Sequence, residues 1–130
     1  MAGSYYYHSH VGFQSVSASG PLIIEDRVQP FPYDEERIIY LQDLFVKNNA
    51  AIEQGLRARY NWSWSGESAM VLVNGKGGGS ANGTACNASL SAIDVEPGKT
   101  YRLRFIGATA ITFASLAIED HSLSIIQADG

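Results

Sequence analysis

The sequence predicts an all-β sandwich carrying one short helix. Three observations point there: short runs in which apolar and polar residues alternate, turn signals at close spacing between them, and a single stretch with helical periodicity. A chain of 130 residues suffices for one ordinary domain and is too short for two complete ones. Hydrophobic residues make up 45% and charged residues 17%, which excludes a disordered or fibrous chain.

The elements follow in order. Early strands are expected at Tyr5–His10, Pro21–Glu25, Arg37–Leu41 and Ala69–Asn74. The helix is expected over Asn48–Arg59: Asn48 or Asn49 caps the first turn, Ile52 and Leu56 share a face, and Arg57 and Arg59 suit the C-terminus. Gly55 weakens it. The stretch Gly75–Gly83 is rich in glycine and lacks an apolar anchor, so it reads as a loop. It is no phosphate loop, because no Gly-Lys-Ser/Thr follows it. Leu90, Ile93 and Val95 mark a strand that leads into Pro97-Gly98, a pair suited to the centre of a type II turn. Tyr101, Leu103 and Phe105 then share one face of a strand, with Arg102 and Arg104 on the other. Ile111–Ile118 switches phase, which predicts a bulge near Ala114-Ser115. After the polar turn Glu119–Ser122, Leu123–Gln127 reads as a return strand.

Thirteen acidic against nine basic residues give a net charge of −4, and no basic stripe is present, so nucleic acid is not an expected partner. No apolar run approaches the ~20 residues of a membrane span. The N-terminal residues lack the pattern of a signal peptide, yet Asn61-Trp62-Ser63, Asn82-Gly83-Thr84 and Asn87-Ala88-Ser89 are glycosylation sequons that fit a secretory compartment. The single cysteine, Cys86, excludes an internal disulfide. The first strand begins near residue 3 and the chain stops on the turn signal Gln127-Ala128-Asp129-Gly130. Together these features lead us to expect a piece of a longer secreted protein.

His8-Ser9-His10 is the strongest chemical feature. In a strand, residues i and i+2 point to one face with α-carbons roughly 6.6 Å apart. Two imidazoles so placed suit one metal, or one each of two metals about 3.5–4 Å apart, and imidazole favours copper, zinc, iron or nickel. An exposed or hydrogen-bonded pair with no metal remains the alternative. Other residues carry weaker signals. His121 sits in a polar turn with no expected metal role. Trp62 and Trp64 suit core packing or a domain contact, with sugar stacking as the alternative. Asp34-Glu35-Glu36 reads as a solvated acidic cluster, and Asp43 follows a strand and caps a turn. No Ser-His-Asp constellation is recognisable.

The run Gly3–Gln14, containing Tyr5-Tyr6-Tyr7-His8-Ser9-His10-Val11-Gly12-Phe13, followed by Gly20-Pro21-Leu22-Ile23-Ile24, resembles the second histidine motif of multicopper oxidases and the strand that ends their first cupredoxin domain. Asp34–Asp43 resembles the opening strand of that family's second domain, and Val71–Gly77 its Asn-Gly-Lys-Gly segment. Val95–Ile106 and Ile125–Gly130 continue in register. The resemblance covers nearly the whole chain and is closest to ascorbate-oxidase-like and laccase-like fungal members. It implies an incomplete cupredoxin-like Greek-key β-sandwich, with residues 1–30 the end of domain 1 and 31–130 the N-terminal part of domain 2. It also implies a copper-dependent oxidase that couples one-electron oxidation of a small phenol- or ascorbate-type reductant to four-electron reduction of dioxygen to water. His8 and His10 would each bind a different copper of the type 3 pair of a trinuclear cluster.

This sequence departs from the family at several places. The family's first histidine pair and its His-Cys-His segment, with the type 1 site, have no counterpart here. Cys86 has no flanking histidines; it bonds a cysteine elsewhere in the full protein or stays a free thiol. Ser15–Ser19 replaces the acid-Gly-Leu of laccases, which favours the ascorbate-oxidase-like branch. The chain alone is therefore expected to be inactive and to depend on the missing cupredoxin segments. The competing readings are a non-enzymatic secreted β-sandwich that binds a partner or glycan through Trp62, Trp64 and the tyrosines, and a mononuclear metal-binding module. A partial sandwich exposes strand edges, so this chain is expected to be oligomeric or poorly soluble; a monomeric peak in sizing chromatography with sharply cooperative unfolding would contradict that.

Overall fold

The computed structural model describes residues 1–81, 84–86 and 89–129, with side chains described outside 79–81 and 84–86. Among these residues, seven strands and one α-helix run in the order β1 (Gly3–His8), β2 (Ser19–Ile24), β3 (Glu35–Leu44), α1 (Asn49–Arg57), β4 (Met70–Val73), β5 (Gly79–Ala81), β6 (Thr84–Cys86) and β7 (Tyr101–Gly107). A 3-10 turn, Gln14–Val16, lies between β1 and β2. The expected class, all-β with one short helix, is what the chain adopts, and its arrangement fits part of a cupredoxin-like sandwich. No helix among the described residues is long and apolar enough to cross a membrane.

β1 and β2 form an antiparallel hairpin, from Gly3 opposite Ile24 to His8 opposite Ser19. β3 is the centre of a three-stranded sheet, antiparallel to β4 and parallel to β7, with Ile38 opposite Arg104 and Tyr40 opposite Ile106. The hairpin covers one face of this sheet. Tyr40, Ile106 and Ala108 form the buried cluster, joined by Ile23 of β2 and Ile38 of β3, and the Tyr40 hydroxyl donates to Ser19 Oγ at 2.8 Å.

The alternation expected along β7 is present, and the face turned toward the hairpin is the one that carries the arginines. Arg102 is 7% and Arg104 2% exposed, whereas Phe105 on the opposite face is 37% exposed. Charged groups enter such a place only when paired. Arg104 donates to Glu36 Oε2 at 2.9–3.0 Å, to Ser4 Oγ at 3.1 Å and to Glu25 Oε2 at 3.3 Å. Arg102 donates to Gln127 Oε1 at 2.7 Å, and its charge lies 3.6 Å from Asp26.

Asp34-Glu35-Glu36 is solvated only in part, Asp34 being exposed and Glu35 and Glu36 half-buried, and each carboxylate has a partner. Glu36 holds Arg104, Asp34 accepts from Thr100 N at 2.7 Å, and Glu35 lies 2.6 Å from Lys99 and 2.7 Å from Arg37. Hydrogen bonds from Lys99 first and Arg37 second hold the Glu35 carboxyl below the ordinary glutamate range.

Asp43 lies inside β3 and is 2% exposed. Its carboxylate accepts the backbone N–H groups of Ala110, Ile111 and Thr112, each at 3.0 Å. It thus caps a turn, as its residue type suggested, but from within the strand and across 67 positions. Burial alone would raise its pKa; the three backbone donors together outweigh burial and lower it.

Helix α1 begins as expected, with Asn48 Oδ1 accepting from Ala51 N at 2.9 Å and Ile52 fully buried. It ends at Arg57 rather than Arg59, where Ala58 turns extended. The Pro97-Gly98 turn forms as expected: Gly98 has φ +86°, the left-handed value that position requires, and Lys99 N donates to Glu96 O.

Three expected strands are absent from the ladders. Leu90–Val95, Ile111–Ile118 and Leu123–Gln127 carry apolar alternation, but none pairs with a neighbour. A strand needs backbone partners as well as a patterned side-chain face. In Ile111–Ile118 the first N–H groups are taken by Asp43, and Phe113 stands 94% exposed; without a ladder there is no bulge at Ala114-Ser115. Within Gly75–Gly83, expected to be loop, β5 instead pairs with β6, Gly79 opposite Cys86. The sequons at Asn82 and Asn87, the Cys86 thiol and Gly130 of the expected C-terminal turn lie outside the described positions or side chains.

Two outcomes follow for stability. Replacing Asp43 with Ala leaves three donors without their acceptor and should cost ~2–4 kcal/mol in denaturant unfolding. Because the folded pKa of Asp43 is lowered, its contribution is complete above the ordinary value near 3.8 and is lost as pH falls through the folded value; the acid limb of the stability profile should flatten in Asp43→Ala. Arg104→Ala, which leaves Glu36 with Tyr33 as its donor, should cost ~1–3 kcal/mol, whereas Glu25→Ala, at a side chain 64% exposed, should change the same midpoint little.

Candidate metal centre

His8 is the last residue of β1, and His10 lies two residues beyond it, so the expected strand Tyr5–His10 ends two residues early. Extended geometry nevertheless persists past His8, because Ser9 N donates to Ala18 O at 2.9 Å and prolongs the ladder by one bond. Tyr6, His8 and His10 consequently form a row on one side. The His8 and His10 rings stack with centroids 4.6 Å apart and planes inclined by 24°. Tyr6 stacks on the other side of His8 at 5.0 Å and 22°. The structure thus brings the two histidines singled out in the sequence together.

The imidazole tautomer of His8 follows from its neighbour. Its Nδ1 lies 3.0 Å from Ser9 O, a carbonyl that can only accept, so Nδ1 carries the proton. Nε2 is then left with its lone pair as the outward donor. His8 is half-buried and His10 exposed. The donor set suits a borderline-soft transition metal. A pair so placed can serve one metal, or one each of two neighbouring metals. Among the described residues no group of three or more His, Cys, Asp or Glu side chains converges.

The loop after His10 is tightly tied. Ser9 Oγ accepts from Val11 N at 3.1 Å and donates to Gln14 Oε1 at 3.1 Å, and Gln14 N donates to Val11 O at 3.2 Å. Phe13 packs edge-on against Phe45, centroids 5.8 Å apart, and Phe13 N donates to Glu53 Oε2 of α1 at 3.3 Å. Glu53 has no sequence signal linking it to the histidines, from which it is separated by more than 40 positions; only the tertiary contact reveals it.

The remaining candidates stay apart from this pair. His121 Nδ1 bonds Glu119 O at 2.7 Å within its own turn. Trp62 and Trp64 stack on each other at 6.4 Å while 61% and 48% exposed, so neither is a core residue. The side chain of Cys86 is outside the description.

A profile of the multicopper oxidase family matches residues 35–130. The laccase-like multicopper oxidase 1 of Thermothelomyces thermophilus is 39% identical over 99% of this chain and 26% of its own length. The multicopper oxidase aurL2 of Gibberella zeae is 45% identical over 99% of this chain and 22% of its own length. The L-ascorbate oxidase of Cucumis sativus is 35% identical over 99% of this chain and 25% of its own length. The chain thus spans about a quarter of the length of the curated relatives it matches. With that family's profile covering residues 35–130, from the start of β3 onward, the chain belongs to the multicopper oxidase family.

Proposed function

We propose that this chain is part of a secreted copper oxidase in which His8 supplies one ligand to one copper of a type 3 pair and His10 supplies one ligand to the other. The observation that carries the reading is the stacked, nearly parallel disposition of the two imidazoles 4.6 Å apart. Membership of a copper-dependent family supplies the metal. Residues 1–30 would close one cupredoxin domain and 31–130 would open the next.

When bound, the coppers supply the redox chemistry: four electrons, taken singly from a small phenol- or ascorbate-type reductant, and four protons convert one dioxygen into two waters. The residues of this chain hold and orient. The Ser9 carbonyl keeps the proton of His8 on Nδ1 and thereby commits Nε2 to the metal. The Tyr6 ring covers the other face of His8 and limits its rotation. With three histidines and one cysteine in all, this chain cannot by itself furnish a trinuclear cluster together with a type 1 site, so turnover belongs to the complete enzyme. Exposure of Asn61, the first residue of the Asn61-Trp62-Ser63 sequon, supports passage through a secretory compartment.

A copper titration of this chain beside His8→Ala/His10→Ala, with oxygen uptake followed in both, tests the reading. Copper binding should disappear in the double variant, and neither protein should consume oxygen. Equal binding by the two proteins would mean the histidines are inert, and would favour a binding module built on the exposed Trp62–Trp64 pair.

A further inference from the structure

We propose that Glu53 is a positioning residue for the histidine pair, acting from helix α1 through the turn Val11–Gln14. The inference rests on the reading of His8 and His10 as metal ligands and extends it to a residue that touches neither ring.

Three observations converge on Glu53. Its carboxylate is held at both ends: Oε1 lies 2.8 Å from Arg57 one helical turn on, and Oε2 accepts from Phe13 N at 3.3 Å. The turn it grips is bonded on its other side to Ser9, the residue between the two histidines, through Val11 N, Gln14 Oε1 and the Val11–Gln14 backbone bond. Finally, the carboxylate approaches the backbone closely at Gly12, which has φ +55° and where a Cβ would meet Glu53 Oε2. Glycine at this position therefore serves both the left-handed backbone and the approach of the acid.

The consequence is a mechanical connection between α1 and the second histidine. His10 lies beyond the end of β1 and has no ladder bond of its own, so its direction depends on the turn that follows. That turn is pinned by Glu53 at Phe13 N and by Phe45 against the Phe13 ring. Groups that orient a ligating imidazole typically change metal affinity by ~10–100-fold when removed.

The test uses the chain with Glu53→Ala, Glu53→Gln, Gly12→Ala and His8→Ala/His10→Ala. Each is read by cupric-ion titration and, without metal, by the NMR shifts of the histidine ring protons, with thermal unfolding to confirm folding. Glu53→Ala and Gly12→Ala should weaken copper binding ~tenfold and move the His10 ring signals while leaving those of His121 in place. Glu53→Gln keeps an acceptor for Phe13 N and should restore both readouts, which a general loss of helix stability would not explain. Unchanged affinity and unchanged His10 shifts in a folded Glu53→Ala, with binding still abolished in the double-histidine variant, would overturn the positioning role alone. Undiminished binding in the double-histidine variant would remove the metal reading, and the metal-free His10 shifts would then still decide whether Glu53 sets that ring.

Discussion

The guanidinium of Arg104 is the joint on which the two layers depend. It belongs to β7, is almost wholly removed from water, and reaches β1 at Ser4, β3 at Glu36 and the end of β2 at Glu25. An isolated charge at that depth would be prohibitive; Glu36 of the sheet pairs it, and Ser4 and Glu25 of the hairpin add contacts in the observed register. Arginine suits this role because its rigid fork presents several donors in fixed directions. The aliphatic contacts of Tyr40, Ile106 and Ile23 fill the space beside it, but apolar contacts are non-directional. Arg104 sets the orientation that they consolidate.

Asp43 plays the complementary part at the other end of β3. There a carboxylate replaces a strand partner, gathering three consecutive N–H groups that would otherwise seek a ladder. Arg104 and Asp43, buried charges of opposite sign, thus organise the central strand pair from opposite faces, with Arg102 buried beside Arg104. Both are satisfied, in keeping with the rule that buried ions are paired or hydrogen-bonded.

What could be read from the sequence depended on the range of the interaction. The helix was legible because its signals are local: Asn48 caps it and Ile52 faces inward. The Pro97-Gly98 turn was legible for the same reason. Alternation in Tyr101–Phe105 revealed a strand but not which face would be covered, since the hairpin chooses the face that carries Arg102 and Arg104. Ile111–Ile118 carried apolar content without a ladder, because nothing local shows that Asp43 has claimed its first N–H groups. The pairs Glu35–Lys99 and Glu36–Arg104 join positions more than 60 residues apart, so a run of acids looked solvated. At the candidate site, spacing alone placed His8 and His10 on one side. The Ser9 carbonyl that fixes the tautomer of His8 and the carboxylate of Glu53 were invisible, as backbone acceptors and distant partners leave no motif.

The parallel pairing of β3 with β7 has a consequence for assembly. β4 can join β3 soon after synthesis, and the side-chain amide of Asn74 then occupies Ile38 O and Tyr40 N on that edge. The opposite edge must wait for Tyr101, by register the partner of Glu35. At ~5–20 residues per second, ribosomal elongation leaves that edge open for several seconds, presenting unpaired backbone groups to any neighbouring chain. Closing so long a loop before its contacts can form also slows folding. Productive folding of this segment is consequently a race between elongation and intermolecular strand capture, and slower translation beyond β4 should favour the wrong partner.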